Sequence, residues 1–430
     1  MNSIILLLGA FFALIAIRVP LAFALALSSL AVIWQLDLPF VSLANQLFTG
    51  INSFPLLAVP FFLILGNLLT TGGITERLID VSNAWVGHIK GGLAHVNVVV
   101  SMLFAGLSGS PASDAAGEGA VIIPAMLKSG FDKDFTVAIT ACSSVLGAII
   151  PPSITMVLYG AMGQVSVGAL FLSGIVPGIL IGFSQMGYVA YVSHKRNYPA
   201  LPRTGWKQRF IRTAKALPPL SVPLIILGGI TAGIYTATEA AAVALLVGFV
   251  LVYGVYRDAS IKDFPKALIT GVVTFSLPMF CVACACVLGW LIAFLDAPAM
   301  IARTMLSVTT SYFGIYMMLI IFLLIIGTFL SPVASVIIFL PIIQEMGNAA
   351  GADPVHLGVI VTVLLSLGQV TPPYGICLLI DCQIADLSMP KAFKATIPIL
   401  LLALVVVIIG IAFPELFLFI PKLFMPDVFQ

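Results

Sequence analysis

Charge is what this sequence has least of. Only 8% of its 430 residues are Asp, Glu, Lys or Arg, against about 25% in an ordinary soluble domain. Long polar runs are missing too: the longest polar connection spans His194 to Leu217, too short for a soluble domain. No Gly-x-x-x-x-Gly-Lys-Ser/Thr loop exists, which excludes ATP hydrolysis by that device. No Ser/His/Asp or metalloprotease signature stands out. The four histidines, His88, His95, His194 and His356, share no metal spacing. A net charge of +2 implies no nucleic-acid partner. The six cysteines, Cys142, Cys281, Cys284, Cys286, Cys377 and Cys382, all lie in apolar segments and read as free thiols in membrane helices. The N-terminal stretch has no basic region before Arg18, so it reads as a retained span, with Arg18 at an interface. A soluble enzyme, a nucleic-acid binder and a secreted disulfide scaffold are thereby excluded.

What is present is apolar surface. Hydrophobic residues make up 61% of the chain and the mean hydropathy is +1.17. A water-soluble fold of this size has no means of hiding so much, so the solvent is lipid. Apolar stretches run through 3–17, 20–36, 54–70, 92–107, 120–127, 135–161, 167–192, 217–232, 237–256, 267–295, 312–330, 333–346, 355–380 and 396–421. They are Leu/Ala/Val-rich and lack the alternation of a membrane barrel, so all are expected as helices. The fold class is an all-α polytopic membrane protein, with room for roughly ten to fourteen spans or part-spans. Between His194 and Leu217 stand Lys195, Arg196, Arg203, Lys207, Arg209, Arg212 and Lys215, without an acid. That excess marks the cytoplasmic side and sits near mid-chain.

The chain repeats itself. Adding 221 takes Gly106, Ser110 and Pro111 to Gly327, Ser331 and Pro332, Gly130 and Asp132 to Gly351 and Asp353, and Gly147, Pro151 and Pro152 to Gly368, Pro372 and Pro373. Each half therefore carries a Gly/Ser/Pro break, an apolar return, a Gly-Asp turn and a Pro-Pro break. Paired breaks in corresponding positions point to a transporter's binding site. A helical proline leaves the carbonyl four residues earlier unpaired. The Pro-Pro breaks are thus expected to free the carbonyls of Gly147, Ala148, Gly368 and Gln369, which suit a hard cation such as Na⁺. In the first break, Ser108, Ser110, Ser113, Asp114 and Glu118 bring hydroxyls and carboxylates to membrane depth. Hydroxyls and free N–H groups at a half-helix N-terminus suit a carboxylate ligand, and intramembrane acids are usually functional. The bland alternative is an interfacial loop with both acids in water. Glu239 reads as an acid at a helix N-terminus, and Asp296 and Arg303 as loop residues.

The run Val86-Gly-His-Ile-Lys-Gly-Gly-Leu-Ala94, then Phe104-Ala-Gly-Leu-Ser-Gly-Ser110 with Asp114, then Ile149-Ile-Pro-Pro-Ser153, resembles the large membrane subunit of the tripartite ATP-independent periplasmic (TRAP) transporters. Thr236-Ala-Thr-Glu-Ala-Ala-Ala242, Asp353-Pro-Val-His356 and Thr371-Pro-Pro373 match the same family, so the resemblance covers nearly the whole chain. It implies a multi-pass protein of the bacterial inner membrane that imports organic acids with Na⁺. Its partners would be a small four-helix membrane subunit and a soluble periplasmic binding protein. It also implies inverted repeats, re-entrant hairpins near 100–127 and 326–347, discontinuous helices, and an elevator-type movement against a fixed scaffold. The expected division is scaffold helices over 1–92, a first transport repeat over 93–193, a basic cytoplasmic loop over 194–217, further scaffold over 218–312, a second transport repeat over 313–395 and a C-terminal helix over 396–430.

By motif, the resemblance carries a first sodium site onto Ser108, Gly147, Ile150 and Pro152. By the repeat, a second falls on Gly368, Thr371 and Pro373. The substrate falls near Ser108, Ser110 and Asp114. The chain departs from the family at Ser331, where an acid is usual, at Leu364, where Asn is common, and at Pro111 and Glu118 in the first hairpin. Offset alone leaves parallel and inverted repeats open. Residues alone also leave open a self-sufficient Na⁺- or H⁺-coupled carboxylate transporter. A channel would need a continuous polar pore face, and an enzyme a nucleophile or metal set. C4-dicarboxylates, sugar acids and sialic acid all fit the substrate class.

Overall fold

The computed structural model describes residues 2–17, 19–257, 259–296 and 309–429; Arg18 and Arg303 lie outside them. The described chain is helical, without strands. In order, the helices are α1 (Asn2–Ala16), α2 (Leu21–Gln35), α3 (Phe40–Ile51), α4 (Ala58–Thr71), α5 (Ile74–Val86), α6 (Gly92–Ser108), α7 (Pro111–Lys128), α8 (Lys133–Ser144), α9 (Ile154–Gly163), α10 (Val167–Arg196), α11 (Trp206–Thr231), α12 (Ala237–Phe249), α13 (Phe264–Phe294), α14 (Tyr312–Gly327), α15 (Pro332–Ala350), α16 (Pro354–Gly368), α17 (Ile376–Ala385), α18 (Met389–Ala412) and α19 (Pro414–Phe424). Lipid offers the backbone no partner, so each segment must close its own hydrogen bonds. Five helices are long and apolar enough to cross a membrane, or up to six if a bent pair over 40–70 counts as one span. The rest are shorter. α9 and α17 have 10 residues each, about 15 Å of helix, half the hydrocarbon thickness.

Helix ends follow the chemistry of their residues, and the 221-residue repeat recurs in them. Ser110 and Ser331 are the N-caps of α7 and α15, each with proline in the first turn. Gly130 and Gly351 take positive φ, at 87° and 65°, where a side chain would be strained. Asp132 and Asp353 then stand at the N-cap positions of α8 and α16. Asp353 accepts the N–H groups of Val355 and His356 at 2.8 and 3.0 Å. Both Pro-Pro bonds, 151–152 and 372–373, are cis. Glu239 is a helix-end acid as expected: it closes a capping box with Thr236 at the start of α12. The basic segment is mostly not a loop. α10 ends at Arg196 and α11 begins at Trp206, so Lys207, Arg209, Arg212 and Lys215 ride on the first turns of α11. The C-terminal stretch is two helices, because Pro414 cannot continue α18 and instead starts α19. All six cysteines are free.

Packing is densest within two sets of helices, which meet through α5 and α4 on α6 and α13 on α15. α1–α5 pack with α11–α13, through pairs such as α2 on α13, α4 on α12 and α5 on α11. α6–α10 pack with α14–α19. Within the second set the repeats exchange partners. α9 of the first packs on α15 of the second, and α17 of the second packs on α7 of the first. A half-length helix leaves its apolar surface and ends uncovered unless a neighbour closes over them. Each repeat supplies that neighbour for the other. Many large apolar side chains on the outside, including Ile5, Trp34, Leu224 and Ile321, are exposed, as a lipid-facing surface requires.

One polar contact fixes the α7–α8 turn to the end of α10. Asp132 accepts the Tyr198 hydroxyl at 2.6 Å and Arg196 Nη1 at 2.7 Å. Tyr198 also stacks on Phe131 and Phe135, with ring centroids 4.4 and 5.4 Å apart. The Tyr198 hydroxyl, and then Arg196, hold the Asp132 carboxyl below the usual carboxylate range. Stability from a depressed carboxyl is present above its unfolded value and is lost as pH falls through the folded one. The group is largely exposed, so the contribution is about 0.5 kcal/mol or less. Tyr198→Phe, which keeps the stacking, is expected to lower the thermal midpoint slightly at neutral pH. The difference should vanish below about pH 3. A deficit of the same size in acid would assign it to packing instead.

Candidate functional site

The first hairpin turns in two residues. α6 ends at Ser108, Gly109 adopts a left-handed φ of 65°, Ser110 is extended, and Pro111 starts α7. The turn is held within itself. The Ser108 hydroxyl donates to Asp114 Oδ1, the Ser110 N–H donates to Ser108 Oγ at 3.3 Å, and the Asp114 N–H to the Ser110 carbonyl at 3.1 Å. Ser108 and Asp114 are buried. The acids are therefore not in water, and the interfacial-loop alternative is overturned.

Against this tip lies the turn that follows α8. A Cβ at Gly147 would collide with Asp114 Oδ2, and would stand 3.3 Å from the Pro111 nitrogen. A Cβ at Gly109 would meet the Pro152 carbonyl oxygen at 2.9 Å. The Ile154 N–H donates to the Gly109 carbonyl at 3.4 Å. Ser108, Ser110, Asp114, Gly147 and Pro152 are thus brought together, and Ile150 lies within the same turn. Glycine at 147 is required by close approach rather than by dihedral angle.

The second half repeats the arrangement. α14 ends at Gly327 and α16 at Gly368, and these two backbones touch. A Cβ at Gly368 would lie 2.5 Å from the Gly327 oxygen. The Tyr374 N–H donates to the Thr328 carbonyl at 2.9 Å, tying the second Pro-Pro turn to the second hairpin. Gly368, Thr371 and Pro373 share this turn. Ser331 caps α15 through the Ala334 N–H at 3.3 Å.

The physical basis of the breaks differs from the expectation. The prolines do not sit inside helices; they follow helices that have already ended. Three of the four carbonyls expected to be free have donors. Ala148 accepts the Ser153 hydroxyl at 2.6 Å, Gly368 the Thr371 N–H at 3.0 Å, and Gln369 the Cys377 N–H at 3.1 Å. Among the described residues only the Gly147 carbonyl of the four has none, and beside it Asp114 Oδ2 is also unpartnered. Unpaired oxygens on a carbonyl and a neighbouring carboxylate make an anionic set that fits a hard cation. The second break offers the Gly368 carbonyl, already engaged once by the Thr371 N–H, and the Thr371 hydroxyl, which donates to the Leu367 carbonyl at 3.2 Å. A carbonyl keeps a second lone pair for a further partner.

One acid was not singled out in the sequence. Asp381, in α17, is fully buried and neither carboxylate oxygen has a partner. It faces α7: a Cβ at Gly119 would lie 2.5 Å from Asp381 Oδ1. Its signal was present, since it closes the apolar stretch 355–380 and is a charge at membrane depth. A separate cleft of about 520 Å³ opens between the two helix sets, lined by Ser53, Gln164, Ser166, Thr236 and Thr238.

Comparison with known proteins places this architecture. The family model described as the tripartite ATP-independent periplasmic transporter, DctM component, matches residues 8–416. The C4-dicarboxylate TRAP transporter large permease protein DctM of Pseudomonas aeruginosa is 39% identical over 382 residues, covering 89% of this chain and 89% of its own. The sialic acid TRAP transporter large permease protein SiaM of Vibrio cholerae is 35% identical over 382 residues, covering 89% and 90%. In fold, the chain is similar to the YdaH transporter of Alcanivorax borkumensis, with a TM-score of 0.61 over 86% of this chain and 87% of that one, at 13% identity.

The Gly147 contact generates a test. Gly147→Leu forces a side chain into Asp114 and the hairpin tip. It is expected to leave membrane insertion intact and to cut solute uptake at least about tenfold, equivalent to about 1.4 kcal/mol. Uptake at the wild-type rate would remove the close approach from the working site.

Proposed function

This chain belongs to the family of DctM components of tripartite ATP-independent periplasmic transporters, and from that membership we propose that it is the large permease of a Na⁺-coupled, binding-protein-dependent importer of carboxylate solutes. Membership makes it a component of an inner-membrane transporter and not an enzyme. The observation that carries the finer reading is the pairing of a hairpin tip with a Pro-Pro turn, once in each repeat.

Na⁺ travels here as cargo. Ser108, Gly147, Ile150 and Pro152 would hold one ion, and Gly368, Thr371 and Pro373 a second. The unpaired Gly147 carbonyl and the adjacent Asp114 oxygen support the first set; the repeat relation supports the second. A cation at the first set would offset the Asp114 charge, so that an anionic solute meets a neutralised site. The solute carboxylate would rest on Ser108 and Ser110 and on the free N–H groups at the start of α7. Relatives named for a C4-dicarboxylate and for sialic acid have a carboxylate in common, which supports carboxylate solutes as the substrate class.

The two packing sets support an elevator-type movement. The regions 93–193 and 313–395 would travel as one body against scaffold helices in 1–92 and 218–312, an elevator with inverted repeats and re-entrant hairpins. The basic residues around 194–217 would face the cytoplasm. A small four-helix membrane subunit and a soluble periplasmic binding protein complete the system.

Uptake into proteoliposomes tests the reading. They would contain this chain and its small partner, with an inward Na⁺ gradient and labelled C4-dicarboxylate or sialic acid outside. Accumulation is expected only when Na⁺ and the binding protein are both present. Accumulation without the binding protein would make the chain a self-sufficient carboxylate transporter, and accumulation indifferent to Na⁺ would remove the ion sites.

A further inference from the structure

The sodium and substrate reading uses the first hairpin's tip and leaves its interior unexplained. One turn beyond Asp114, Glu118 is fully buried. Its Oε2 accepts the Ser101 hydroxyl at 2.7 Å, and Ser101 in turn lies 2.9 Å from Ser143 Oγ. Its Oε1 has no partner. From the other repeat, Asp381 enters the same α7–α17 interface with both oxygens unpartnered, against Gly119. Glu118 and Gly119 are neighbours in α7, so both acids belong to this one interface.

The repeat shows that packing does not demand these groups. Adding 221 takes Ser101 and Glu118 to Phe322 and Phe339, which form an edge-to-face pair with centroids 5.4 Å apart. α9 and α17 start 222 residues apart, at Ile154 and Ile376, so Asp381 corresponds to Tyr159, a buried aromatic. The same interface is built once from aromatic rings and once from carboxylates.

We propose that Glu118 and Asp381 form a proton-binding site inside the helix core, distinct from the sodium sets and independent of the cargo. A buried carboxylate without a counter-ion is far costlier than a buried neutral carboxyl. Among the described residues, the groups around the pair supply no counter-ion. α7 itself adds Asp114, α8 adds Cys142 and Ser143, and α17 adds Cys377 and Cys382. α6 adds the hydroxyl of Ser101, and Lys391 and Lys394 of α18 are exposed. Among the described residues no set of three His, Cys, Asp or Glu side chains is arranged to hold a metal. A proton needs neither room nor a coordination shell. It is held on these two buried carboxyls.

Infrared difference spectroscopy of the purified full-length chain tests this without substrate or partner, so it stands or falls apart from Na⁺-driven uptake. Wild type is expected to show a protonated-carboxyl stretch at neutral pH that Glu118→Gln and Asp381→Asn each diminish. Ser101→Ala, which removes the donor to Glu118 and leaves both acids, is expected to shift the frequency of the Glu118 part. Should Asp381→Asn not fold, the Glu118→Gln and Ser101→Ala pair decides alone. A neutral-pH spectrum with no carboxyl band that these variants alter would overturn the proposal. So would stabilisation of wild type by NaCl, relative to choline chloride, that disappears in Glu118→Gln while no such band is present; that outcome would assign the pair to a metal ion.

Discussion

In lipid, a helix can break only where protein closes over the exposed backbone. Every unusual feature of this chain follows from that requirement. Each repeat contains a hairpin that turns at a Gly/Ser/Pro tip and a helix that stops before Pro-Pro. Both interruptions expose peptide groups, and the chain seals them against each other. The Ile154 N–H reaches the Gly109 carbonyl, and the Tyr374 N–H reaches the Thr328 carbonyl. Glycine at 147, 327 and 368 allows the backbones to approach closely enough for this sealing. The seal is incomplete at the Gly147 carbonyl and the Asp114 carboxylate, where oxygens are left without a partner.

The exchange between repeats extends the same logic. A helix of 10 residues cannot stand alone in a bilayer. α9 is covered by α15 and α17 by α7, so each half completes the other. The two interfaces carry different chemistry on one backbone plan: Phe322, Phe339 and Tyr159 on one side, Ser101, Glu118 and Asp381 on the other. A repeated fold can therefore hold one apolar and one polar copy of the same contact, and the polar copy is the one free to do something besides pack.

Much of this was legible in the chain. Composition alone required membrane helices, and Gly, Ser, Pro and Asp recurring at one offset located both hairpin tips and both Pro-Pro turns. These residue types act on local backbone geometry, so their signal survives without tertiary knowledge. What was not legible depends on contacts between distant segments. The Gly368 and Gln369 carbonyls were expected to be free, but Thr371 and Cys377 reach them because the chain turns rather than continuing as a kinked helix. The basic segment read as a loop because charge and loop coincide so often; α11 shows that a helix can begin inside it. Asp381 is a lone acid at the end of an apolar stretch, and only folding brings it to Glu118, 263 residues earlier in the sequence.

That separation has a consequence for biosynthesis. α7 ends at Lys128 and its cover, α17, begins at Ile376. At about 5–20 residues per second, a ribosome needs on the order of tens of seconds to make the intervening chain. Throughout that interval the first hairpin lacks its α17 neighbour, and the side of α7 that α17 later covers stays open. It must wait at the margin of the bilayer, or shelter against the translocation apparatus, until the second repeat arrives. The final architecture is thus assembled in two strokes, and the first half spends the time between them as an unfinished membrane protein.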